Sequence, residues 1–539
     1  MGVETIVVRN NATLAGEATD RSALTGWGPI ALAVILVAAD IAPLWSFAAR
    51  IWPDSDNVQI YRELFALRDG HWLLASWTLA ADNFYFTDLS LFAVPAAIGG
   101  IVPSLLFLVP TAVYAALLLL ALLMIARGVE RPAQGWIAVP AGFALLGFPV
   151  AIWPLLVAAA HTATILFALV AVLALRAALR LPCVLGGALI LYAIAIVMAT
   201  ASDPFAQVFA TGPIAVFLAA RAIHQPATWR WSATLFIATL CAGLIGAAFP
   251  FLMSAVGGFS TEWAIDAKPI GLDQWRGVVR GFELGFERLY GLTPMTIGWF
   301  PGLIVGLRAA SLVLVAASVG LVLARWRRGW RDLDLMLVAM AIIPLAADMV
   351  SSQFANSPGA DGVARVEHYM APSFVFAAIV ASMQVPRLID ALRSRAWRTG
   401  ALALGLAAGL ILGADFAGRA LALAHQPTGL EASSHRRLAV WLNDHGLRRG
   451  VGDYWTVRPL QALAGGKLDM QVIIKKDGRL VLWRWFGDTG HPDPSRPQFV
   501  VFMSHNAYGI SGADVRATYG AVAAIDQFAE FTIVILAPR

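Results

Sequence analysis

Residues 103–126 read PSLLFLVPTAVYAALLLLALLMIA, and Arg127 and Arg131 follow directly. No charge interrupts that run, and it exceeds the about 20 apolar residues a spanning helix needs. Ten further stretches read the same way: roughly 28–49, 136–153, 158–178, 183–201, 204–220, 232–254, 303–324, 333–350, 370–386 and 399–417. Two are weaker, because 136–153 and 204–220 are short and contain Pro140, Pro149 and Pro213. The whole composition agrees. Of 539 residues 59% are hydrophobic and only 14% charged, with mean hydropathy +0.71. Soluble domains run about 45–50% apolar and about 25% charged. The expected fold class is therefore a polytopic α-helical membrane protein with about eleven spans. Two cysteines exclude a disulfide framework.

The arginines order the loops. Starting from a cytoplasmic N-terminus, the loops expected inside carry Arg127 and Arg131; Arg176 and Arg180; Arg221 and Arg230; Arg325, Arg327, Arg328 and Arg331; and Arg387, Arg393, Arg395 and Arg398. The short outer loops carry almost none, as the positive-inside rule requires. Residues 1–27 read as a cytoplasmic tail without a cleaved signal, and 28–417 as the transmembrane domain with outer loops 50–88, 255–300 and 351–369. Residues 418–539 change character. Short apolar runs alternate there with helix-like stretches, giving a small C-terminal α/β domain outside the membrane. Lysine occurs only at 268, 467, 475 and 476. This reads as the arginine bias of a GC-rich genome, and no nucleic-acid partner is expected.

Charge is costly near a membrane, so the acids of the outer loops stand out. The first loop holds Asp54, Asp56, Glu63, Asp69, His71, Asp82 and Asp88. After the two acids, Val58, Tyr61, Leu64 and Phe65 share one helix face and Arg62, Glu63 and Arg68 the other, which predicts an amphipathic interfacial helix. Asp54 and Asp56 then either cap that helix or do chemistry. In the second loop Trp275, Val279, Phe282, Phe286 and Leu289 predict another interfacial helix. Its Arg276 and Arg280 face either solvent or a lipid phosphate. The third loop ends in Arg365-Val366-Glu367-His368-Tyr369-Met370-Ala371-Pro372, a cluster suited to an anionic headgroup or to plain interfacial anchoring. His161 and Asp203 lie at outer ends of spans, where a satisfied buried histidine and a helix start are the simpler readings. No metal-ligand spacing, Walker loop or Ser-His-Asp signature occurs.

The layout resembles the GT-C superfamily of membrane glycosyltransferases. The resemblance runs through Asp56-Asn57, Tyr61-Arg62, Gly70-His71-Trp72-Leu73, Phe84-Tyr85-Phe86-Thr87-Asp88-Leu89, His368-Tyr369-Met370-Ala371-Pro372 and Gly452-Asp453-Tyr454-Trp455. Two positions depart from it. Asn57 replaces a second acid, and His368 stands where arginine is common. The resemblance implies a polyprenyl-phosphate-linked sugar donor, a lipid, glycan or protein acceptor in the cell envelope, and a bacterial inner membrane with the C-terminal domain periplasmic. It implies Asp56 as general base with Asp54 behind it. Arg365, His368, Tyr369, Arg276, Arg280, His71, Asp88 and His161 are then candidates for substrate binding. No cofactor is required, and a divalent metal finds no support in ligand spacing. Direct displacement of a lipid phosphate by a base-activated hydroxyl predicts inversion at the sugar carbon. The rival expectation is a transporter or flippase using Asp40, Arg308, Asp348 and Asp415, the charges deepest in the spans. A third is an assembly protein binding partners through the outer domain.

Overall fold

In lipid an apolar run can satisfy its backbone only as a helix, and among the described residues each of the eleven stretches holds a helix. The computed structural model describes residues 12–51, 55–148, 155–157, 161–180, 186–262, 269–292, 301–326, 331–351, 367–465, 467–483, 487–488, 497–506 and 508–538. Asp54 and Arg365 fall outside the described residues.

The first span is α1 (Ala12–Ala48), which begins inside the stretch that reads as a polar tail. The first outer loop then folds into α2 (Ser55–Arg68), β1 (Trp77–Ala80), a π-helical turn (Tyr85–Leu89) and the short apolar α3 (Ser90–Gly99). Next come α4 (Leu105–Gly128), α5 (Pro132–Leu146), α6 (Thr162–Arg180), α7 (Gly187–Ser202), α8 (Gly212–His224) and α9 (Trp229–Ala255). The second outer loop contributes β2 (Ser260–Glu262) and α10 (Trp275–Leu289). The spans close with α11 (Pro301–Arg325), α12 (Asp332–Met349), α13 (Glu367–Asp390) and α14 (Arg395–Ala424).

Among the described residues eight of these helices are long and apolar enough to cross a membrane. The other three of the eleven fall short for visible reasons. At 1.5 Å per residue, α5 with 15 residues and α7 with 16 reach about 24 Å, against about 30 Å of hydrocarbon. Asp332, Asp334 and Asp348 dilute α12. The arginine-bearing ends lie together on one face. The Arg176 guanidinium donates to Arg127 O at 2.8 Å, Arg331 donates to Gly128 O, and Arg387 pairs with Glu130 at 2.7 Å.

On the opposite face α14 delivers the chain to α15 (Gly429–Ala432), α16 (Ser434–Asp444), β3 (Arg449–Gly452), α17 (Tyr454–Leu463), β4 (Asp469–Lys476), β5 (Arg479–Leu482), β6 (Gly487–Asp488), β7 (Phe499–Met503), α18 (Gly512–Tyr519), β8 (Val522–Phe528) and β9 (Phe531–Leu536). Six strands form a mixed sheet in the order β5-β4-β3-β7-β9-β8, with β3 parallel to both neighbours. Several contacts tie the domain to the membrane part. The Arg50 guanidinium at the end of α1 donates to Ala424 O and Gln426 O at 2.9 and 2.7 Å. Gly429 donates to Ala49 O at 2.8 Å, and a Cβ there would meet Ile51 O at 2.2 Å, so only glycine fits. Finally, β1 pairs with β2 in parallel and with β6 antiparallel, joining both outer loops to the C-terminal domain in one small sheet.

These ties correct the expectation for α2. It does not lie on the membrane surface with one polar side. Val58, Ile60, Tyr61, Leu64 and Leu67 are buried, and so are Gln59 and Glu63. The helix packs against α17 on one side and α3, α4 and the π-helical turn on the other. By contrast α10 keeps its expected amphipathic form. Val278, Gly281, Gly285 and Leu289 face the protein, and a Cβ on Gly285 would stand 2.4 Å from Met370 Sδ of α13. Trp275 and Val279, from the apolar face expected in the sequence, remain exposed.

Candidate active site

The site is built where the outer loops meet the C-terminal domain. Asp56 lies in the first turn of α2, half-buried. Its Oδ1 accepts a hydrogen bond from Tyr454 Oη at 2.7 Å, while Ser55 Oγ donates to Tyr454 O at 2.7 Å. Tyr454 is fully buried at the start of α17, and Asp453 before it caps that helix. The Asp453 carboxylate accepts from Thr456 N, Thr456 Oγ1 and Met503 N at 3.2, 2.7 and 3.0 Å. One helix turn beyond Tyr454 comes Arg458, buried at the contact with α2. Burial, aided by the nearby Arg62 charge, holds its guanidinium well below the ordinary arginine range. Arg62 donates to Gln59 Oε1 at 3.1 Å and stands 5.5 Å over the Trp77 ring. Thus one carboxylate and two guanidinium groups line the α2–α17 contact.

A second group of side chains adjoins it. His161, just before α6, has its Nδ1 2.6 Å from Asp203 Oδ2, and both are buried. Burial pulls the imidazole down. The Asp203 charge and hydrogen bond, with the charges of Asp82 and Asp88, outweigh that and hold it above its ordinary value. The imidazole stacks on His368 at 5.2 Å between ring centres, with Tyr369 at 5.4 Å, Phe205 at 5.4 Å and Phe84 at 5.7 Å. His161 and Phe84 have φ of 65° and 52°, a left-handed conformation that non-glycine residues adopt at a cost, and such strain gathers at functional sites.

Asp82 connects the two groups. The chain after it is pinned to the end of α7: Asn83 Nδ2 donates to Ala201 O at 2.9 Å, Phe84 N–H to Ser202 O at 2.9 Å, and Phe86 N–H to Ser202 Oγ at 2.7 Å. Protein packed around the half-buried Asp82 carboxylate pushes it up to about 7. His161 opposes the shift, and the nearby Asp203 and Asp56 carboxylates add to it. Glu63, on the inner side of α2, is pushed up to about 8 by burial, against a hydrogen bond from Gln59 at 3.1 Å.

The whole arrangement, spans, outer loops and mixed-sheet domain, has counterparts among solved structures. A crystal structure of ArnT from Cupriavidus metallidurans bound to undecaprenyl phosphate superposes with a TM-score of 0.52 at 13% identity, over 94% of this chain and 99% of that one. The apo structure of the same protein gives 0.52 at 14% identity, over 96% and 100%. The likeness shows that this chain shares the fold of those ArnT structures. An oligosaccharyltransferase from Archaeoglobus fulgidus in the apo form is a more distant match, with a TM-score of 0.46 at 12% identity over 88% of this chain and 70% of that one. No family model matches the sequence, and no curated protein does.

Within this fold, the residues singled out in the sequence separate into two sets. Asp56, His161, His368 and Tyr369 come together with Asp82 and Asp203, and the buried Asp88 is close enough for its charge to act on both Glu63 and His161. Arg276 and Arg280 do not join them. Both are exposed on α10, and Arg280 pairs with Glu283 at 2.6 Å. His71 is also exposed, in the turn after α2. Of the deep charges that suggested transport, Arg308 and Asp415 face one another at 3.5 Å, and Arg419 reaches the same carboxylate at 2.9 Å. Arg62 and Arg458 were not among the sequence candidates, because nothing local ties position 62 to position 458. Among the described residues no group of three or more His, Cys, Asp and Glu side chains is placed to hold a metal ion.

Proposed function

We propose that the protein is an integral-membrane glycosyltransferase. It moves a sugar from a polyprenyl-phosphate donor to a hydroxyl of a lipid, glycan or protein acceptor, on the membrane face that carries the C-terminal domain. The observation that carries this reading is Asp56, a half-buried carboxylate held by Tyr454 Oη between the two domains, with Arg62 and Arg458 further along the same α2–α17 contact. In this reading Asp56 takes the proton of the acceptor hydroxyl as its oxygen attacks the anomeric carbon. The new C–O bond forms as the bond to the phosphate oxygen breaks, and the polyprenyl phosphate leaves with the electron pair. Attack opposite the leaving group inverts the sugar carbon. Arg62 faces the charge growing on the phosphate, and catalysis otherwise rests on positioning. Arg365 and Asp54, outside the described residues, are second candidates for phosphate contact and base. His161, fixed by Asp203, and the stacked His368 and Tyr369 form the wall against which the sugar is positioned. The scheme draws on no metal. We place the protein in a bacterial inner membrane with its C-terminal domain periplasmic, in keeping with the arginine-rich loops on the opposite face.

The test uses the full-length protein in liposomes, a panel of labelled polyprenyl-phosphate sugars, and envelope lipids, glycans and proteins as acceptors. Asp56→Asn keeps an acceptor oxygen for Tyr454 but cannot take a proton, so transfer should fall about 10²- to 10⁴-fold. Transfer at the wild-type rate would remove Asp56 from the mechanism.

A further inference from the structure

On the arginine-rich face, away from the site, a cavity of about 450 Å³ opens between four helix ends. Its walls come from the α4–α5 turn, the end of α11, the start of α12 and the end of α13. Four arginines line it, at 131, 325, 331 and 387, against the carboxylates of Glu130, Asp334 and Asp390. Each carboxylate already has a partner through one oxygen, although Asp334 Oδ1 is left without one. Arg387 binds Glu130 at 2.7 Å and Asp334 at 3.0 Å, Gln384 donates to Asp334 at 3.1 Å, and Gln134 donates to Asp390 at 3.0 Å. That leaves Arg131, Arg325 and Arg331 without an ion pair among the described residues. The Arg331 guanidinium donates to Gly128 O through Nη2, while its Nη1 is buried with no acceptor. A buried guanidinium N–H without an acceptor is a cost that an arriving anion relieves.

We infer that this cavity binds a phosphate group, held by Arg131, Arg325 and Arg331. Guanidinium forks match phosphate oxygens in shape and charge. The surroundings fit a phosphate that arrives on a lipid. Leu323 and Trp326 beside Arg325 are exposed, and basic pockets between helix ends take anionic headgroups. The site is independent of the proposed transfer reaction and lies at the other membrane face.

The experiment places full-length protein in phosphatidylcholine nanodiscs. One arm titrates in phosphatidylglycerol, and a second adds inorganic phosphate. Native mass spectrometry counts retained lipid, and the thermal midpoint reports stabilisation. Saturable retention of phosphatidylglycerol with no response to phosphate identifies a lipid headgroup as the ligand, and a saturable midpoint rise with inorganic phosphate identifies a free phosphate compound. In either case the double variant Arg131→Gln/Arg325→Gln should weaken binding about tenfold, for the loss of two charge-assisted contacts. Arg393→Gln, exposed on the same face outside the cavity, should change it less than about twofold. Absence of saturable binding in both arms, or an equal loss from Arg393→Gln, overturns the inference.

Discussion

Glu63 offers a test of the α2 packing whose sign and size follow from the structure. Its carboxyl is 1% exposed, between α2 and the elements beneath it, and is pushed up from 4.5 to about 8, chiefly by burial. Between those values the native protein binds the proton and the unfolded chain releases it. Stability is therefore lost as pH rises from 4.5, and the loss levels off above about 8. At 1.36 kcal/mol per pH unit the interval gives an upper bound of about 5 kcal/mol. Relaxation and water entry reduce that to about 2–4 kcal/mol. Glu63→Gln keeps the shape of the protonated acid but never ionises. Its unfolding midpoint in detergent should match that of the wild type near pH 4.5 and exceed it increasingly toward pH 8, with the gap constant beyond. A gap that does not change with pH would refute the reasoning, since Glu63 would then be ionised in the native state. A gap favouring the wild type at pH 8 would mean that a cation holds the carboxylate.

Three further outcomes follow from the same geometry. Tyr454→Phe removes only the hydroxyl bound to Asp56. A double-mutant cycle with Asp56→Asn, read by unfolding in denaturant, should give a coupling of about 1–2 kcal/mol, and additivity would mean that the hydrogen bond does not form. Asp203→Asn takes from His161 the partner that raises it. The stability this pair supplies is fully present below about pH 6.5 and is lost as pH rises through the raised folded-state value. The variant should therefore lose about 1–3 kcal/mol near pH 6 and less at pH 9, measured by unfolding midpoint. Chelation with EDTA should leave transfer by the reconstituted protein unchanged, and loss of activity restored by a divalent cation would show that the carboxylates act through a metal.

The span pattern was legible because lipid forces one solution on an apolar run: among the described residues each of the eleven expected stretches holds a helix. The helical period of α10 was legible for a similar reason. In α2 the same reasoning failed. Glu63 reads as part of a polar face, yet it is buried, because the π-helical turn that carries Tyr85 and Asp88 packs against the side that a lone interfacial helix would turn to water. Asp203 looked like a helix start before Pro204. It accepts from Phe205 N at 3.0 Å as that reading implies, but its other oxygen holds His161. Local sequence carries the first role and cannot carry the second, which depends on position 161 reaching the end of α7.

The C-terminal region reads in sequence as a separate domain; the strands of its six-stranded sheet pair only with one another, while β6 pairs with β1 of the first outer loop. Its first long loop-to-helix transition, however, does two jobs. Asp453 caps α17 with one carboxylate, and the turn so fixed aims Tyr454 at Asp56 and sets Arg458 one turn further along the same contact. The hydrophobic core runs through this contact without a break, from Val58 and Tyr61 of α2 to Tyr454, Val457 and Leu460 of α17. Burial of that size holds the two helices rigidly, and a catalytic carboxylate needs such rigidity more than it needs strong bonds of its own. In the proposed reaction the outer domain would therefore serve as the second wall of the site. That explains why the side chains that matter most are those whose partners lie hundreds of residues away in the chain.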